Sequence, residues 1–173
     1  LLVALAAVVC ALSTFAGVTL LHHARRTEGP MQLAWIGIAA ISVGFGIWAT
    51  HFIAEMALEI GIPTGYNIPL TLLSLAIAMS IVGGALWYAT LGRRRSDAAL
   101  AGAIVGIGIA AMHYVGMQAL IVGGRIGWDP YLVGASLLVG IGFGALALYV
   151  GTLSPRLGHR LAGGGILALA IVA

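Results

Sequence analysis

The sequence predicts an all-α, polytopic transmembrane bundle of about six spans, built from parallel helical-hairpin repeats of 62 residues. Three observations lead there: a composition too apolar for a soluble core, arginines that punctuate the chain between apolar segments, and an internal repeat. Of 173 residues, 61% are hydrophobic and another 26 are Gly, while 8% carry a charge. Mean hydropathy is +1.11. Such a chain is neither a soluble globular domain nor a disordered one, and the single Cys10 excludes a disulfide scaffold. At roughly 20 apolar residues per span, about six segments use nearly all of residues 1–173 as one membrane-embedded domain, leaving no room for a soluble catalytic domain.

Reading from charge to charge places the spans at residues 1–21, 31–60, 70–91, 98–122 and 131–153, with a sixth beginning near 161. The first is kept as a span rather than a signal peptide, because it lacks a basic leading region and a small-residue cleavage site before His22. Arg25, Arg26, Arg93, Arg94, Arg95, Arg156 and Arg160 fall in alternate connections, and only Arg125 falls on the other side. By the positive-inside rule the arginine-rich side is cytoplasmic, so the N-terminus is expected outside. The net charge of +3 therefore separates spans and does not form a nucleic-acid patch. The missing initial Met and a sixth segment of 13 residues lead us to expect a fragment of a longer chain.

The repeat orders the rest. Val43, Gly44, Gly46, Ile47, Ala49, His51, Ala57 and Leu58 recur as Val105, Gly106, Gly108, Ile109, Ala111, His113, Ala119 and Leu120. The register continues through Ser74 and Ser136, and Asn67 matches Asp129 in the connections. Because the offset covers an even number of crossings, the copies share one orientation and are related by an axis along the membrane normal. Extended once more, the register places a third His two positions after residue 173.

His51 and His113 then lie at similar depth near the outer ends of the second and fourth spans. An imidazole at membrane depth is costly, faces a bundle interior or cavity, and needs a partner. Either it only hydrogen-bonds a neighbouring helix or it carries chemistry. The flanking thioethers favour chemistry. His113 and Met117 are four apart and share a helix face, with Met112 about 100° to one side; in the first copy Glu55 takes the position four after His51, and Met56 is displaced by one. Imidazole and thioether together suit a soft ion, with Cu(I) the first-row choice. The expected metal set is His51, His113, Met117, Met112 and Met56, with Glu55 orienting the His51 imidazole or holding a proton. Glu59 is expected to be solvated, Met31 and Met79 to serve packing, and His22, His23 and His159 to lie solvated or at lipid headgroups beside arginines. Gly44, Gly46, Gly102, Gly106 and Gly108 are read as sites of close helix approach.

Met112-His113-Tyr114-Val115-Gly116-Met117, the related Trp48-Ala49-Thr50-His51-Phe52-Ile53, and the lead-ins Tyr66-Asn67 and Trp128-Asp129 resemble the MHYT domain family over essentially the whole chain. The resemblance implies a multi-pass sensor module of the bacterial inner membrane. It also implies copper held near the outer face, a diatomic gas as stimulus (oxygen, carbon monoxide or nitric oxide), and an attached cytoplasmic output domain such as a cyclic-di-GMP enzyme or a histidine kinase. Here Thr50 stands where the first motif has Met, and Phe52-Ile53 and Tyr114-Val115 stand where the family has Tyr-Thr.

Three classes of function remain open: a copper-based sensory domain, a haem-binding electron carrier with one axial His from each helix, and a transporter or membrane-anchor subunit without metal. The paired-His spacing along one helix that membrane cytochromes use is absent, as are a broken helix and a midplane charge. No nucleophile–base constellation is seen, so these residues are not expected to turn over a substrate.

Overall fold

A computed structural model describes residues 1–58, 63–92, 94–124 and 126–172. Glu59, Arg93, Arg125 and Ala173, which entered the reading above, lie outside the described residues.

Among the described residues six helices follow one another: α1 (Leu2–Ala24), α2 (Gly29–Met56), α3 (Ile68–Leu91), α4 (Arg95–Ala119), α5 (Pro130–Gly151) and α6 (Leu157–Val172). The first five are long and apolar enough to cross a membrane, and α6 is a shorter apolar helix of 16 residues. The helix starts follow from their sequences. Asn67 Oδ1 accepts the Leu70 N–H at 3.1 Å ahead of α3, and Asp129 Oδ1 accepts those of Tyr131 and Leu132 at 2.8 and 3.3 Å ahead of α5. A Pro in the first two positions of α2, α3 and α5 costs no hydrogen bond there.

Two expected spans are shorter than the apolar runs suggest. The second helix ends at Met56, not residue 60, and the fourth at Ala119, not residue 122. Residues Leu120–Val122 form a strand, β2, antiparallel to β1 (Thr64–Tyr66), with Tyr66 opposite Leu120 and Thr64 opposite Val122. Asn67 N–H adds a bond to Ala119 O at 2.8 Å. Pairing with another strand satisfies the backbone of an apolar tripeptide as well as a further helical turn would, and hydropathy does not distinguish the two. The ribbon ties the α2–α3 connection to the α4–α5 connection.

Neighbours in sequence pack side by side, α6 returns to α1, and α2 and α4 meet across the interior. Glycines set the spacing. A Cβ on Gly44 would stand 2.8 Å from the Met79 Cα, and one on Gly106 would stand 2.7 Å from the Ile141 Cα. Met79 and Ile141 are themselves 62 apart, so the two hairpins pack in the same register that their sequences share. Gly102 and Gly144 face each other across α4 and α5 with backbone in contact. Val43, Ile47, Val82, Val105, Ile109 and Leu148 fill the core between them.

Arg25, Arg26, Arg94, Arg95, Arg156 and Arg160 sit at one end of the bundle, at the ends of α1 and α5 or the starts of α4 and α6. His51 and His113 sit near the other end, since α2 and α4 both run away from the arginines. The expectation for His22 needs correction. Its Nε2 lies 2.8 Å from Gly151 O, so it is tied to the end of α5 instead of to solvent. His23 is exposed and stacks on Trp35 with ring centroids 5.1 Å apart.

Candidate metal centre

His51 and His113 are brought together by the crossing of α2 and α4. Their Nδ1 atoms face one another at 3.3 Å, with the rings edge to face at 75° and centroids 4.9 Å apart. In that pair one nitrogen donates and the other accepts, according to tautomer. The approach depends on Gly116, because a Cβ there would come 2.7 Å from His51 Nε2. Its counterpart in the first repeat is Ala54, so only the second copy opens this gap.

On its other side, His51 Nε2 stands 3.8 Å from Glu55 Oε2, beyond hydrogen-bond reach. Glu55 is 8% exposed. Among the described residues, the buried side-chain N and O atoms without a partner are Thr19 Oγ1, His51 Nε2 and both Glu55 oxygens. Three of these four belong to one contact pair, which concentrates unsatisfied polarity at the histidines. At membrane depth such groups are expensive unless they serve a ligand or a proton.

A cavity of about 540 Å³ opens beside the pair, and its walls include His51, Glu55, Met112, His113, Tyr114 and Met117. Thr50, which replaces a Met of the motif, lines it too and donates its hydroxyl to Gly46 O at 2.7 Å. Met112 is fully buried and Met117 half-buried. Met56 is not at the site. It is 53% exposed and absent from the cavity wall, because five residues after His51 carry it about 140° around the helix.

Sequence reasoning missed a layer of support. Tyr114 Oη lies 2.9 Å from Ser136 Oγ, whose hydroxyl also reaches Val133 O, which anchors the residue after His113 to α5. Tyr114 packs edge to face on Trp128 at 5.2 Å, and the equivalent Phe52 packs on Tyr66 at 5.5 Å. Both pairs recur at the 62-residue offset, and that offset was the available signal. Burial, and then the nearby Glu55 carboxylate, push the Tyr66 phenol above its usual range.

The residues fit a soft metal ion in part. Imidazole ligands at about 2.0–2.1 Å and a tetrahedral angle stand about 3.3 Å apart, which is the separation of the two facing nitrogens. Among the described residues, however, no three His, Cys, Asp or Glu side chains form a metal cluster. The soft donor atoms in the cavity wall beside the pair are the thioethers of Met112 and Met117.

Fold and site together define a multi-pass membrane domain with paired histidines buried at one end of a parallel repeat. The chain belongs to the MHYT family, the bacterial signalling protein N-terminal repeat, whose family model matches residues 44–103 and 106–165. Those two segments are offset by the same 62 residues.

An uncharacterised signalling protein of Caulobacter vibrioides is 35% identical over 171 residues, 99% of this chain and 21% of that protein. MucR of Pseudomonas aeruginosa, a bifunctional diguanylate cyclase/cyclic di-GMP phosphodiesterase, is 37% identical over 86% of this chain and 22% of its own length. NbdA of the same organism, a cyclic di-GMP phosphodiesterase, is 36% identical over 85% of this chain and 19% of its own length. The chain thus spans about a fifth of the length of these relatives. No solved structure matches.

Proposed function

We propose that this chain is the sensory input domain of a signalling protein in the bacterial inner membrane, with its N-terminus outside, holding copper between His51 and His113. The observation that carries the reading is the 3.3 Å approach of the two Nδ1 atoms beside a cavity that Met112 and Met117 also line. Two imidazoles and a thioether favour Cu(I). Copper bound there would supply an open coordination position for oxygen, carbon monoxide or nitric oxide, or a one-electron redox change. The protein's own part is to hold the imidazoles in place. Gly116 admits the His51 ring, Tyr114 ties α4 to α5 through Ser136, and Glu55 stands 3.8 Å from the outer nitrogen of His51, from where a small approach would let it accept that N–H when Nδ1 is engaged.

Met56 leaves the proposed set, and Thr50 gives the first motif no thioether. His113, His51 and Met117, with Met112, are the remaining candidates. The haem alternative has less support, since rings with centroids 4.9 Å apart and Nδ1 atoms in contact leave no slot for a porphyrin. The transporter alternative has no observation in its favour beyond the parallel repeat. The relatives named for cyclic-di-GMP synthesis and breakdown support an output of that class, driven by movement of α2 against α4.

Metal and optical analysis of the detergent-purified protein tests the reading. Copper bound without a haem absorption band, and an infrared carbonyl band after reduction under carbon monoxide, are expected. A haem spectrum, or no metal retained by protein reloaded with Cu(I), would overturn it.

A further inference from the structure

The arginine end of the bundle carries a second cavity, of about 450 Å³, at the opposite pole from the histidines. Arg25 from the α1–α2 connection and Arg94 and Arg95 from the start of α4 line it, with Gln32, Thr90 and Glu28. Arg25 is half-buried, and its Nε donates to Ala89 O at 3.0 Å near the end of α3. That bond fixes the guanidinium while its terminal amino groups have no acceptor among the described residues. Among those residues the one carboxylate within ion-pair distance of a basic side chain is Glu55. Asp97 acts on Arg25 only at longer range, and its carboxylate is engaged at 2.9 Å by the Arg94 N–H.

Three arginines thus line one concave polar site, with Glu28 as the acidic side chain in its wall and, among the described residues, no close ion pair there. Like charges so placed call for a shared counter-anion, and the planar guanidinium fork matches phosphate oxygens in pairs. The start of α4 adds the partial positive charge of a helix N-terminus. Its position at the end of the membrane-spanning helices puts the site at headgroup level, where basic pockets between helices take lipid phosphates.

We propose that this pocket binds one phosphate group, the headgroup phosphate of an anionic membrane lipid or a soluble phosphate ester, between Arg25 and the Arg94–Arg95 pair. The bound anion bridges the connection before α2 to the connection before α4, the two helices that carry the histidines. It therefore sets the spacing of these helices at the pole where a cytoplasmic output would join.

The test is native mass spectrometry of the protein released from nanodiscs of phosphatidylcholine with phosphatidylglycerol, repeated with millimolar glycerol phosphate. The lipid source predicts phosphatidylglycerol retained about tenfold over phosphatidylcholine, not displaced by glycerol phosphate, and lost in Arg94→Gln/Arg95→Gln. The soluble source predicts an arginine-dependent glycerol phosphate adduct and no lipid preference. Arg25→Lys, which keeps the charge but not the fork, should retain less anion than the wild type. Substituting the exposed Arg94 and Arg95 removes neither partner of the Arg25–Ala89 bond, so the variant should keep its helices, which circular dichroism checks. Neither adduct in the wild type, or retention unchanged in the folded Arg94→Gln/Arg95→Gln variant, would overturn the proposal.

Discussion

Gly116 of α4 lies directly against the His51 ring of α2, so that a methyl group on its Cα would stand 2.7 Å from Nε2 and 3.0 Å from Cδ2. The glycine of the second motif is thus the floor on which the histidine of the first motif rests. Gly116→Ala should push the ring aside, weaken copper retention by tenfold or more, and cost about 1–3 kcal/mol of stability as overpacking does. Gly123→Ala, with nothing within 4 Å of the added carbon, should change neither. Copper titration and thermal unfolding of both variants decide the point, and a Gly116→Ala protein that binds like the wild type would contradict it.

In the proposed copper site, Glu55 would act through His51. Its carboxylate oxygen stands 3.8 Å from Nε2, and both of its oxygens are otherwise without partners. Glu55→Gln should lower copper affinity by about 10–100-fold with helix content unchanged, the usual effect of removing a carboxylate that orients a metal-bound His. Equal affinity in Glu55→Gln would leave the carboxylate without a part in metal binding.

The methionines should separate by position. Met117→Leu conserves volume, so the bundle should remain folded while Cu(I) is held less tightly against a competing chelator. Met56→Leu and Met79→Leu should bind as the wild type does, because Met56 points away from the cavity and Met79 lies on α3 against Gly44. An effect of Met56→Leu as large as that of Met117→Leu would place the donor set elsewhere.

Orientation is testable independently of metal. A reporter joined after Arg95 should read as cytoplasmic, and one joined after Gly124, at the histidine end, as periplasmic. The reverse pattern would invert the sidedness assigned to the site.

Much of this was legible in the sequence because hydropathy and a fixed offset are both one-dimensional signals. The helices, the parallel hairpins and the meeting of His51 with His113 followed from apolar runs, alternating arginines and the 62-residue register. What escaped depended on contacts between segments. Leu120–Val122 reads as further helix because strand pairing with Thr64–Tyr66 is invisible to hydropathy. His22 sits beside arginines in sequence yet reaches Gly151 on another helix. Met56 looked like a slipped ligand, but a one-residue slip on a helix turns a side chain by about 100° and out of the site. Gly116 could have been singled out, since it lies three residues after His113 on the same face.

Copper content tests the central claim most directly. Protein loaded with Cu(I) and freed of excess metal should retain about one copper per chain, and the His51→Ala/His113→Ala double variant should lose most of it while keeping its helical circular dichroism. Equal copper in the double variant and the wild type would contradict the account, leaving the paired histidines as a helix-to-helix contact alone.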